Sequence, residues 1–157
     1  MVWITGASSG IGEALALECA DQGAKLVLSA RNELELNRVA KNCSCEHLIL
    51  PLDLSNSSNF NNLAEKVNNH FGSIDILLNN GGISQRSKAD ETTLEVDRKL
   101  MEVNYFGTIA LTKAVLPIMQ HQKSGHFVAV SSLSGKFGFH LRSAYSASKF
   151  ALVGFYE

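Results

Sequence analysis

Residues 2–12 read VWITGASSGIG, and this stretch decides the fold. Val2-Trp3-Ile4 is a short apolar run of β type. It passes directly into Thr5-Gly6-Ala7-Ser8-Ser9-Gly10-Ile11-Gly12, and a helical pattern follows near residues 11–22. Glycines in such a turn permit a tight bend, a close approach of backbone to ligand and close packing of helix on strand. The helix start then presents free N–H groups to a pyrophosphate. Gly6, Ser8, Ser9, Gly10, Ile11 and Gly12 are therefore the candidates for holding one. The spacing is G-x-x-x-G-x-G rather than the commoner G-x-G-x-x-G, and by itself it leaves an ordinary Gly/Ser turn open.

Outward from this stretch, apolar runs alternate with helical patterns. The further runs are 26–28, 48–50, 74–78 and 127–130, and the helix candidates lie near 33–42, 58–70 and 94–122, with a last helix beginning near Arg142. The runs are short and mostly not alternating, as expected of parallel strands buried on both faces. Strand, helix, strand, helix predicts a doubly wound (Rossmann) α/β sheet with helices on both faces. Gly23 and Gly72 stand where helices should end, and Pro117 should end or kink the long fourth helix. Residues 1–157 read as one domain without repeat or linker.

Composition narrows the function. The net charge is −1, which argues against a nucleic-acid partner. No apolar run approaches the ~18 residues of a membrane span, and no targeting segment is visible. The three cysteines, Cys19, Cys43 and Cys45, form no framework and read as free thiols, and no metal is expected.

The second run ends Ser29-Ala30-Arg31. A site specific for NAD places an acid near here, for the ribose 2′-hydroxyl. Arg31 can instead hold the 2′-phosphate of NADP through charge-assisted bonds. Asp53-Leu54 follows the third run; Asp53 could accept from an adenine amine or serve as a helix cap. Asn79-Asn80-Gly81-Gly82 follows the fourth, a second turn at which backbone can press on a ligand. Tyr145 and Lys149 fall on one face of the last helix. A nearby ammonium stabilises a phenolate, so such a tyrosine can pass a proton to or from a carbonyl oxygen while hydride reaches its carbon. Ser132 ends the fifth run, on the sheet edge where ligands sit in such folds, and could hold the substrate oxygen.

The chain resembles the short-chain dehydrogenase/reductase family. The resemblance rests on TGASSGIG at 5–12, DL at 53–54, NNGG at 79–82, VNYFG at 103–107, VSS at 130–132 and YSASK at 145–149, which occur in family order over nearly the whole chain. It implies an NADP(H)-dependent enzyme with Asn104, Ser132, Tyr145 and Lys149 as catalytic tetrad. It also implies that Lys149 binds the nicotinamide ribose and that Asn104 supports a water in a proton relay. Gly81 departs by one methyl group from the family's usual N-N-A-G. SARNELEL, NNGGISQRS and RKLMEVNYFGTIALTKAVLPIM are similar to one branch of the family. That similarity implies reduction of lipophilic carbonyls, retinoids and steroids among them, association with the endoplasmic reticulum membrane, and a homo-oligomer in the full-length form with the last helix at its interface.

The chain opens at its first strand and stops at Glu157, inside its last helix. A six-stranded sheet needs at least one more βα unit of roughly 30 residues. The expected domain is therefore incomplete at its C-terminus. Two alternatives follow: a non-catalytic NADP(H)-binding fragment or splice form, and an NAD-linked alcohol dehydrogenase of the same fold.

Overall fold

A computed structural model describes residues 1–157. Five strands form one sheet: β1 (Val2–Thr5), β2 (Leu26–Ser29), β3 (His47–Ile49), β4 (Ile76–Asn79) and β5 (His126–Ala129). All four pairings are parallel, in the order β3-β2-β1-β4-β5. The chain winds outward from β1 to β3, then crosses back to lay β4 on the other side of β1. The topological switch point therefore lies between β1 and β4, where such sheets open a crevice beyond the carboxyl ends of their strands.

Alternation along β1 sends its side chains to two cores. Trp3 joins Val27 and Leu77 against Phe60, Val67, Leu111 and Val115. These last four come from α3 (Phe60–Phe71) and α5 (Thr108–Gln122). Val2 and Ile4 join Leu26, Leu28 and Leu78 against Ala16, Leu36 and Val39. Those belong to α1 (Gly10–Asp21) and α2 (Glu33–Ala40). With both faces covered, β1, β2 and β4 need continuous apolar runs, which is why the sequence shows no alternation there, whereas the outer strands β3 and β5 stay partly exposed. Trp3 is wholly buried, and its indole N–H donates to Ser29 Oγ at 2.9 Å.

Helix ends follow local chemistry. Asn32 Oδ1 caps α2 by accepting from Glu35 N. Gly72 closes α3 with a left-handed φ of 80°. The expected long helix over 94–122 is α4 (Leu94–Met101) continued into α5 through a π-helical segment, Glu102–Gly107. Pro117 does not end it, since α5 runs on to Gln122. The carbonyl that loses its N–H partner belongs to exposed Lys113, where water can replace it, while Val115 and Met119 hold the buried side. The last helix is α6 (Ser143–Tyr156).

Candidate active site

The crevice at the switch point is a cleft of about 580 Å³. Its floor is the turn after β1. Gly6 has φ +66°, and a Cβ there would lie 2.8 Å from Gly81 Cα. A Cβ at Gly12 would lie 2.1 Å from Gly6 O, so α1 starts hard against the turn only because residue 12 has no side chain. Gly10 is also left-handed, at φ +58°, with open space around it. Ser8 and Ser9 line the cleft, whereas Gly12 is buried beneath it and Ile11 is exposed at the first turn of α1.

Buried Thr5, not singled out by sequence, joins the two turns. Its Oγ1 accepts from Asn80 N at 3.0 Å and Gly81 N at 2.9 Å. Asn80 Nδ2 in turn donates to Thr5 O at 3.1 Å. Asn80, Gly81 and Gly82 thereby line the cleft opposite Gly6. Leu54 lines it too, and a Cβ at Gly81 would come within 2.9 Å of Leu54 Cδ1. Only a very small residue fits there.

Arg31 and Asp53 stand at the far end of the cleft. Arg31 is exposed and takes part in no ion pair. Asp53 Oδ1 accepts from Ser55 N at 2.9 Å and Ser55 Oγ at 2.8 Å. These two bonds, with Arg31 nearby, hold its carboxyl below the ordinary range. Arg38 buttresses the glycine turn from outside. It grips Glu13 through Nη1 at 2.7 Å and Nη2 at 2.8 Å, and Nη2 also donates to Ser8 O at 3.3 Å. An Arg 25 residues from its Glu partner carries no local sequence signal.

Lys149 is buried on α6. Its Nζ donates to Val130 O at 2.8 Å, and desolvation pushes its pKa down. A Cβ at Gly82 would lie 3.9 Å from that Nζ, so the ammonium meets the end of the cleft. Nζ also lies 5.9 Å from the centre of the Tyr145 ring. Ser132 and Tyr145 line a second pocket of about 540 Å³. Ser132 Oγ accepts from Ser134 N at 3.1 Å, which fixes its rotamer.

Asn104 lies in the π-helical segment and is wholly buried. Its Oδ1 accepts from Ile83 N at 2.8 Å, while Nδ2 donates to Ile83 O at 2.9 Å and to Ser148 Oγ at 3.0 Å. Both amide donors are thus spent on protein. Ser148, which sequence reading passed over as a spacer between Tyr145 and Lys149, locks Asn104 to α6 and donates to Tyr145 O at 2.8 Å. Arg142 was also missed. Its guanidinium lies 5.6 Å from the Tyr145 ring centre, and its Nη1 donates to Ser84 Oγ and to Gln85 O.

The structure thus places the candidate residues in two adjoining spaces, with Lys149 between them. A nicotinamide dinucleotide suits the first: glycines form the floor, two of which, Gly6 and Gly12, leave no room for a Cβ, and an unpaired guanidinium waits at one end.

Comparison with known proteins agrees. The family described as short chain dehydrogenase matches residues 1–157. Dehydrogenase/reductase SDR family member 7 of mouse and of human is 48% identical over 164 residues, covering 100% of this chain and 48% of those proteins. The chain therefore spans about half the length of these curated relatives. Among solved structures, levodione reductase superposes with a TM-score of 0.94 at 31% identity, covering 98% of this chain and 62% of that one. A metagenomic short-chain oxidoreductase in complex with NADP gives 0.92 at 33%, covering 99% and 71%. With its whole length matched and its sheet shared, this chain belongs to the short-chain dehydrogenase/reductase family, oxidoreductases that use nicotinamide cofactors.

Proposed function

We propose that the protein is an NADP(H)-dependent oxidoreductase that interconverts a carbonyl and an alcohol on a lipophilic substrate. The observation that carries this reading is the position of Lys149, whose Nζ sits beside Gly82 of the cofactor cleft and beside Tyr145 of the adjoining pocket. NADPH, when bound, supplies the hydride. The chain's own residues do the rest. Arg31 binds the 2′-phosphate, and the N–H groups at the start of α1 face the pyrophosphate. Ser132 holds the substrate oxygen, and Tyr145 Oη gives it the proton during reduction or takes it during oxidation. Lys149 supplies the positive charge that favours the phenolate left behind and binds the nicotinamide ribose. Asn104 positions this array by tying the Ile83 turn to α6 through Ser148. A water in the relay would then meet the Asn104 backbone carbonyl or the one spare lone pair of Oδ1.

Exposed Leu133 and Phe139 in the second pocket favour a lipophilic substrate; retinoids and steroids are the classes to screen first. The family likeness supports association with the endoplasmic reticulum membrane, although no helix here is long and apolar enough to cross one. It also supports a homo-oligomer, formed through the apolar groove of about 770 Å³ that Leu94, Met101, Phe106 and Ala147 line between α4 and α6.

The alternative reading is an NADP(H)-binding module without turnover. Carbonyl reduction by the chain, compared with Tyr145→Phe, decides between them. Turnover lost on substitution supports catalysis; cofactor binding without tyrosine-dependent turnover supports the binding module.

A further inference from the structure

We infer that the pocket at Tyr145 is built for a carbonyl compound that also carries an anionic group, a carboxylate or sulfate. This deepens the proposed function and rests on it for the identity of the reacting carbonyl. The pocket is lined by Arg86, Arg142 and His140 and by no carboxylate. The chain as a whole holds 15 acidic against 14 basic residues, so a cationic lining free of acids is not the general character of its surface. Neither arginine is neutralised elsewhere, because neither takes part in an ion pair. Glu91, in the same loop as Arg86, is already paired with Lys88 at 2.9 Å.

Arg142 is held in place by neutral acceptors only. Its Nη1 serves Ser84 Oγ and Gln85 O, while Nη2 and Nε have no protein partner. A guanidinium fixed by one nitrogen and open at the other two is prepared for a planar, two-oxygen acceptor. It also lies over the Tyr145 ring, 5.6 Å from its centre, so an anion gripped there shares the pocket with the reacting tyrosine. α6 begins at Ser143, directly after Arg142, and the positive end of its dipole adds to the same field. Leu133 and Phe139 supply the apolar wall. Together these features select an amphiphilic substrate, apolar in its body and anionic near the carbonyl.

The test uses 4-oxo-4-phenylbutanoate and its methyl ester, which differ in charge and little in shape. Binding of each to the whole chain is measured by calorimetry, with and without NADP⁺, at low salt. The acid should bind about tenfold or more tighter than the ester, as one charge-assisted contact provides. Arg86→Gln, at an exposed position that leaves the fold intact, should shrink that preference, and added salt should do the same. Equal binding, tighter binding of the ester, binding of neither, or a preference that survives Arg86→Gln would each overturn the inference. Failure of the oxidoreductase reading appears separately, as absent NADPH binding or absent tyrosine-dependent turnover.

Discussion

At the scale of single residues, Lys149 does two things that pull in opposite directions. Its burial disfavours the ammonium, yet the proposed chemistry uses that charge, 5.9 Å from the centre of the Tyr145 ring. Lys149→Met should therefore abolish turnover while leaving the melting temperature at neutral pH unchanged or raised, since an apolar side chain of similar length no longer buries a charge. The pH dependence has a definite sign. The folded-state pKa of Lys149 lies below the ordinary 10.5, so towards that pH the unfolded chain holds more protons and wild-type stability rises. Wild type should gain stability relative to Lys149→Met over the same range in paired thermal melts; a loss relative to the variant would contradict the assignment. Ser148→Ala should cost about 1 kcal/mol and loosen Asn104, seen as faster amide exchange at Ile83. Tyr145, Lys149 and Ser132 were legible in sequence because each stands in a short motif. Ser148 and Arg142 were not, because the contacts that tie them to other elements, to Asn104 and to Gln85, span 44 and 57 residues.

Elements carry the site because every contributing turn leaves the same sheet edge. The turns after β1 and β4 interlock through Thr5 and through the close approach of Gly6, which admits no Cβ, to Gly81. Gly12→Ala drives a methyl group into Gly6 O, a backbone atom that cannot rotate away. It should remove NADPH binding and lower the melting temperature; binding retained at wild-type affinity would refute this reading of the turn. The three central strands could be read from apolar runs because parallel strands buried on both faces have no other pattern, and the partly exposed outer strands β3 and β5 carry shorter runs of the same kind. The π-helical segment at 102–107 could not, since six residues make little more than one π turn, too short to show in the apolar periodicity of the α-helices on either side. That Pro117 would not end the helix was not legible either: a proline signals a break or a kink, and whether its orphaned carbonyl meets water depends on which side of the helix faces out.

For the whole molecule, two apolar cores clamp one sheet, and the crevice is a consequence of strand order. Leu77 is wholly buried in one of these cores, so Leu77→Ala should cost ~2–5 kcal/mol in chemical denaturation. The face of α4 and α6 leaves Leu94 60% and Phe106 49% exposed around an apolar groove, which favours self-association. Sedimentation should give a dimer or larger species, and Phe106→Glu should shift it towards monomer; a wild-type monomer at all concentrations would remove the interface. On the proposed reading, the switch-point cleft holds NADP(H) through the glycine turn and Arg31. A titration of the chain with NADPH and with NADH, followed by cofactor fluorescence, tests it most directly. Saturable binding that prefers NADPH, by about tenfold or more for a charge-assisted contact to the 2′-phosphate, is the predicted result. Binding of neither cofactor, or equal binding of both, would contradict it.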